Sequence, residues 1–487
     1  MIEVLSVASE VYPLIKTGGL ADVTGALPAA LAAHGVSMRT LIPGYPTVMA
    51  QAQGGRVVAE FADLFDGPAR LIAGRVAGLD LIVLDAAHLY DRAGGPYSGP
   101  DGREWPDNWK RFAALSWVAG KLGLGVVEGY QPQVLHAHDW QAGLVPAYVK
   151  YGPSTTLKSV MTVHNLAFQG HFGWDVFHRL DLPPHAFYEG LEYYGGVGYL
   201  KAGLQNADAL TTVSPTYARE IRTPAYGAGL DGLLNIRATV LHGITNGIDT
   251  EAWNPATDPA LVATYSSNTA HKRTANKVVV GERFGLAGGD GPLFAMVSRL
   301  TWQKGVDMLV ACIDGLVAQG GQLCVLGSGD AEMESWFKDA ALRHPGKVGI
   351  ITGYDESLSH LIQGGADAIL VPSRFEPCGL TQMFGLRYGC VPVVSRVGGL
   401  ADTVIDANEA AVEAGVATGV QFAPATTEAL AEGIRRTISL YGDEKIWRKM
   451  QRRGMKSNVS WDLSAARYAD LYATLLGLER DHDHLID

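Results

Sequence analysis

Short apolar runs at 2–9, 79–84, 134–138, 158–162, 209–213, 293–297, 322–326, 348–351, 368–371 and 391–395 are separated by segments long enough to form helices. Strands apolar on both faces and spaced in this way belong to parallel sheets. A parallel connection has to cross over, and its helix covers a face of the sheet. The expected fold class is α/β.

At 487 residues the chain has room for about two to four domains. A stretch dense in Gly, Asn, Asp and Pro, from His242-Gly243-Ile244-Thr245-Asn246-Gly247 to Asp258-Pro259, marks a boundary. The expected division is a Rossmann-like domain over 1–245, a second over 246–458, and from 459 a helix crossing back to the first domain before a polar tail. The pentapeptide Gly18-Gly19-Leu20-Ala21-Asp22 recurs as Gly398-Gly399-Leu400-Ala401-Asp402. Unless this is coincidence, it marks two doubly wound halves, each pointing a helix N-terminus towards a shared cleft.

Lys and Arg number 39 against 50 Asp and Glu, a formal charge of −11. No global positive field exists for nucleic acid or an anionic membrane, so an anionic substrate must be held by a few local cations or by backbone amides. The first apolar run carries Glu3 and no basic flank, unlike a secretion signal, and no apolar run reaches membrane-spanning length. Cys312, Cys324, Cys378 and Cys390 form no C-x-x-C pair, as expected of reduced thiols in a cytoplasmic protein. Asp481-His482-Asp483-His484 reads as a solvated tail and not a metal site.

Four strings stand where chemistry is expected, just after strands. Lys16-Thr17-Gly18-Gly19-Leu20 is either a tight turn with a surface lysine or a loop whose glycines let backbone N–H groups approach an anion. Ser298-Arg299-Leu300-Thr301-Trp302-Gln303-Lys304-Gly305 carries two cations, a fork and a point charge, suited to a diphosphate if they are not simply exposed. Ser373-Arg374-Phe375-Glu376-Pro377-Cys378-Gly379-Leu380-Thr381 offers a carboxylate for sugar hydroxyls ahead of helical amides, or else a helix cap. His136-Ala137-His138-Asp139-Trp140, with Val163-His164-Asn165-Leu166, lacks zinc spacing. These residues fit polyol recognition, with Trp140 as a stacking plane, or ordinary core histidines.

Together and in this order, across nearly the whole chain, these strings resemble the glycogen and starch synthase family. That resemblance implies two Rossmann-like doubly wound domains facing a deep cleft, the GT-B type of glycosyltransferase. The implied reaction moves glucose from ADP-glucose to the non-reducing 4-OH of an α-1,4-glucan, glycogen or a maltooligosaccharide, with retention of configuration. Neither metal nor cofactor is expected, and ADP is the product. Carried over residue by residue, Lys16, Gly18 and Gly19 contact the donor, Arg299 and Lys304 hold the diphosphate, and Glu376 takes glucose hydroxyls. Ser298, Cys378, Gly379, Leu380 and Thr381 line the donor site, and Tyr354 packs on the base. Asp139, His164, Asn165 and Asn246 serve the glucose and acceptor side, walled by Tyr97 and Trp140. Thr24, Leu166 and Phe168 depart from the usual Val, Ile and Tyr.

Three other readings are an α-glucan phosphorylase-like enzyme, which would need pyridoxal phosphate on a lysine, a catalytically silent glucan-binding protein on the same scaffold, and a nicotinamide dehydrogenase. The last is disfavoured by Gly327-Ser328-Gly329, which has no third glycine.

Overall fold

The computed structural model describes residues 1–153 and 156–479. The expected polar tail at 480–487 lies outside them. Among the described residues the strands form three sheets. The largest has nine strands, in the order Leu241–Gly243, Ala209–Thr212, Lys158–Val163, Val134–His138, Ile2–Val7, Val36–Pro43, Leu79–Asp85, Ala69–Val76, Arg56–Phe61. Pairing is parallel as far as Leu79–Asp85 and antiparallel for the last two.

The second sheet is parallel throughout, ordered Val348–Thr352, Gln322–Gly327, Leu293–Val297, Ala368–Val371, Val391–Ser395, Val420–Phe422. A small antiparallel ribbon joins His171–Phe172, Gly196–Gly198 and Glu192–Tyr193. Every apolar run read from the sequence lies in one of the two large sheets, which makes the fold mixed α/β.

Why those runs are uniformly apolar is visible in the six-stranded sheet. Phe294, Met296, Leu323 and Val325 enter one core, while their alternates Leu293, Ala295, Cys324 and Leu326 enter another on the opposite face. Each large side chain buried in this way contributes about 1.5–3 kcal/mol. All four cysteines are buried, and none is in a disulfide.

The chain divides into two compact units, one built from Met1–Gly247 with the chain from Trp461, the other from Ile248–Ser460. The first therefore extends two residues past the expected 245. Ile244 N–H still bonds Thr212 of the nine-stranded sheet, whereas Ile248 N–H bonds Val459. The helix Asp462–Leu475 lies in the first unit. Ala465, Tyr468, Ala469 and Tyr472 are buried there with Ile2, Val4, Leu27 and Leu31. Among the described residues no helix is long and apolar enough to cross a membrane.

In each large sheet the strand order reverses beside the sheet's first strand: between Ile2–Val7 and Val134–His138, and between Leu293–Val297 and Ala368–Val371. Side chains just beyond the carboxyl ends of those strands therefore meet in a crevice, the usual ligand position of open α/β sheets.

Candidate active site

In the second unit that crevice is a pocket. Ser298 and Lys304 line it from one strand end, Ser373 and Glu376 from the other, and Gly379, Leu380 and Thr381 close it. Lys304 can lie against the second strand end because Gly305 turns the chain at φ 69°, where a Cβ would stand 2.0 Å from the Pro372 carbonyl oxygen. The two connections are laced by Arg374 N–H to the Gln303 carbonyl (2.8 Å), Gln303 Nε2 to the Phe375 carbonyl (3.1 Å), and an Arg374 fork on Asp307 at 2.7 Å to each oxygen.

The result is an ion pair of 2.5 Å between Lys304 Nζ and Glu376 Oε2, which also accepts from Ser373 Oγ at 2.8 Å. Glu376 is 7% exposed and caps no helix. The following helix, Thr381–Tyr388, has Leu380 at its N-cap and no side-chain cap, leaving its first N–H groups without an intrahelical or capping partner beside the pocket. Gln382 Nε2 secures the preceding turn through the Cys378 and Gly379 carbonyls (3.1 and 2.9 Å). Cys378 is buried. Arg299 is exposed, and its guanidinium forms no ion pair among the described residues. Tyr354, 76% exposed, donates to Glu356 Oε2 at 3.3 Å and does not line this pocket.

The first unit's crevice is organised by a residue the motif strings omit. Glu10, 2% exposed, lies just past the first strand. Its carboxylate accepts from Thr17 Oγ1 at 2.6 Å, from Thr17 N–H and from the Tyr97 hydroxyl. Tyr97 is thus a holder of the lysine-bearing loop, with Ser9 Oγ 2.8 Å away. Thr24, the departure from valine, donates to the Glu10 carbonyl at 2.7 Å. Lys16 pairs with Asp22 at 2.7 Å and stands 5.3 Å over the Tyr12 ring. Gly18 is the N-cap of the Gly19–Ala32 helix in extended conformation. A Cβ on Gly18 or Gly19 would meet nothing within 4 Å.

Asp139 ends the neighbouring strand at φ 55°, a conformation that costs a non-glycine residue on the order of 1–3 kcal/mol and occurs most often at functional sites. Burial pushes its carboxyl up to about 7, opposed by backbone N–H bonds from His164 and Asn165; the first is 2.7 Å. His138 Nδ1 lies 3.0 Å from His164 Nε2. Burial drives His136 and His164 down to about 3 and His138 well below its usual value, so all three imidazoles are neutral at neutral pH. Among the described residues no three His, Cys, Asp or Glu side chains converge as metal ligands. Asn165 Oδ1 is occupied by Ala167 N–H (3.0 Å), and Asn246 Oδ1 is buried without a donor among the described residues.

Trp140 corrects the sequence reading. It is 7% exposed, packed edge-on to Phe112 (5.0 Å) and against Phe172 and Tyr199, with Gly170 pressed on the ring. It presents no open face for stacking. His136 is likewise a core residue, bonded to Tyr472 and Thr162 at 2.7 and 2.5 Å. Only contacts remote in sequence, ring packing for Trp140 and hydrogen bonds for His136, distinguish these residues from exposed ones. Glu10 had one local signal, a lone carboxylate directly after an apolar strand.

A family model described as the starch synthase catalytic domain matches residues 3–236, and one described as glycosyl transferases group 1 matches 282–454. Curated relatives include the glycogen synthase of Mesorhizobium japonicum, 58% identical over 98% of this chain and 99% of its own length. Another is glycogen synthase 1 of Rhizobium meliloti, 56% identical over 98% and 99%. Among solved structures, the catalytic domain of Arabidopsis thaliana starch synthase IV bound to ADP and acarbose superposes with a TM-score of 0.84 at 31% identity, covering 98% of this chain and 99% of that one. Sucrose-phosphate synthase from Thermosynechococcus elongatus, at 18% identity and TM-score 0.59 over 98% and 100%, shares the fold. Identity at this level across both units, on a GT-B framework, places the chain in the glycogen synthase family of glycosyltransferases.

Proposed function

We propose that the donor is ADP-glucose and that the second unit's pocket takes its diphosphate and glucose, with a glycogen or maltooligosaccharide chain as acceptor and no metal or cofactor required. The observation that carries this reading is the Lys304–Glu376 pair at the sheet's reversal point. One N–H of the Lys304 ammonium on Glu376 leaves two for phosphate oxygens. The open-ended helix at Thr381 adds amide donors, and the unpaired Arg299 adds a fork. ADP in the starch synthase IV structure and the glycogen synthase names of the relatives support the same substrates.

In the proposed reaction the bond between the anomeric carbon and the β-phosphate oxygen breaks, and a bond to the acceptor 4-oxygen forms on the same face. The acceptor proton passes to the departing phosphate. Lys304 and Arg299 stabilise the charge growing on ADP, an interaction stronger in the transition state than in the ground state. Retention commonly uses a carboxylate nucleophile. Glu376 is poorly suited to that role, because its Oε2 is already held by an ammonium and a hydroxyl; it positions glucose instead.

The test is incorporation of label into glycogen from ADP-glucose and from UDP-glucose, with Lys304→Ala as control. ADP-glucose should be the better donor, and the variant should lose about 10²–10³-fold in kcat/KM. Equal incorporation by wild type and variant would remove the phosphate role.

A further inference from the structure

His164 Nδ1 has no hydrogen-bond partner among the described residues, whereas its Nε2 faces His138 Nδ1 at 3.0 Å. His138 is fully buried, and its other nitrogen, Nε2, lies 3.1 Å from Ser6 Oγ. Behind it stands the His136 ring, 4.2 Å away, pinned by Tyr472 and Thr162. Ser6, His138 and His164 therefore form a line of three groups with one inner end and one outer end.

We propose that Ser6 and His138 are positioning residues that fix His164 as the tautomer protonated on Nδ1, making it a hydrogen-bond donor to a sugar hydroxyl oxygen.

The direction follows from the buried end. Ser6 is 1% exposed, and the only hydrogen bond its hydroxyl forms among the described residues is the one to His138 Nε2. An O–H buried with no acceptor costs more than an oxygen lone pair left unused, so Ser6 donates and His138 Nε2 accepts. A neutral His138 then carries its proton on Nδ1, which donates to His164 Nε2. The neutral His164 is left with its proton on Nδ1, the nitrogen with no protein acceptor. Burial keeps both imidazoles neutral, so neither holds a second proton that would blur the assignment. The same logic fixes the tautomer of metal-bound histidines through their outer hydrogen bond; here the outer partner sets a donor toward substrate. The His136 ring packs against His138 at 4.2 Å, tilted by 32°.

This assignment rests on the proposed glucosyl transfer for what His164 touches, but its test does not. In a two-bond 1H–15N correlation spectrum of the full chain with 15N-histidine, the resonance lost in His164→Gln identifies His164. It should show a protonated Nδ1 and a bare Nε2. In His138→Phe, which keeps a ring packed against His136 and removes both nitrogens, His164 should revert towards the Nε2–H form preferred by free imidazole, with kcat/KM for the donor falling about tenfold and the melting temperature falling by a few degrees as the Ser6 hydroxyl loses its acceptor. Protonation of wild-type His164 on Nε2 overturns the proposal, even if the phenylalanine variant fails to fold. An unchanged tautomer in a folded His138→Phe overturns it as well. If the spectra agree with the assignment and no sugar nucleotide is turned over, the tautomer stands and the proposed function fails.

Discussion

Two carboxylates stand at strand ends, and their surroundings give them different work. Glu376 is held by Lys304 and Ser373, whereas Asp139 is buried against backbone amides and titrates near 7. Its unfolded value is 3.8, so between about 4 and 7 the folded chain binds more protons than the unfolded one, and stability falls as pH rises through that window. His136 and His164 act in the opposite sense: depressed to about 3 from 6.5, they cost stability as pH drops below 6.5. Asp139→Asn should therefore melt above wild type at pH 8, by roughly 5 °C, with the gap closing near pH 4. A gap that is constant with pH in thermal denaturation would refute the assignment. At this scale the sequence is informative where a charged residue follows a strand, as at Arg299, Lys304 and Glu376. It is silent on Ser6, gives Glu10 one local signal and leaves His138 open between site and core, because their roles arise from partners brought together by the fold, and it misleads at Trp140, where an indole suited to a sugar face is covered by Phe112, Phe172 and Tyr199.

The two copies of one string stand in different surroundings at their helix starts. Gly398 and Gly399 are glycines because the backbone leaves no choice: φ is 42° at the first, and an added Cβ would stand 1.9 Å from the Glu376 carbonyl oxygen and 2.2 Å from that of Cys378. Gly18 and Gly19, in the same pentapeptide, face open space and ordinary φ values. Gly399→Ala should destabilise the second unit by about 1–3 kcal/mol or more. Gly19→Ala should leave the melting curve within about 0.5 kcal/mol yet raise the KM for sugar nucleotide by roughly tenfold, because the added methyl stands in the open space through which an anion would approach the backbone N–H groups. Equal melting losses in the two variants would show that the first pair is merely structural. Strands were legible for a related reason. Those buried on both faces read as continuous apolar runs, but Val36–Pro43 is interrupted by Arg39, paired with Asp80 at 2.9 Å. Arg56–Phe61 is an edge strand with an exposed face, and the ribbon strands are too short to carry a period.

At the scale of the molecule, the first unit is assembled from two distant pieces of chain. Tyr468 and Tyr472 are fully buried in it, and Tyr472 bonds the same His136 that backs the proposed tautomer line. A chain ending at Ser460 keeps every motif residue, but it should expose the first unit to limited proteolysis while Ile248–Ser460 stays resistant. Resistance of both units, read by mass spectrometry of the fragments, would show the helix to be dispensable. The two-unit division was foreshadowed by the Gly- and Asn-rich stretch at 242–259, but its edge at Gly247 depends on which carbonyl Ile244 and Ile248 each find. The discontinuity also has a consequence for synthesis. At roughly 5–20 residues per second, the ribosome takes about ten to forty seconds to make Ile248–Ser460. During that interval Ile2, Val4, Leu27 and Leu31 have emerged without the helix that covers them. The nascent first unit then keeps that apolar surface uncovered until the helix is made, whereas the second unit, made in one continuous stretch, waits for no distant segment.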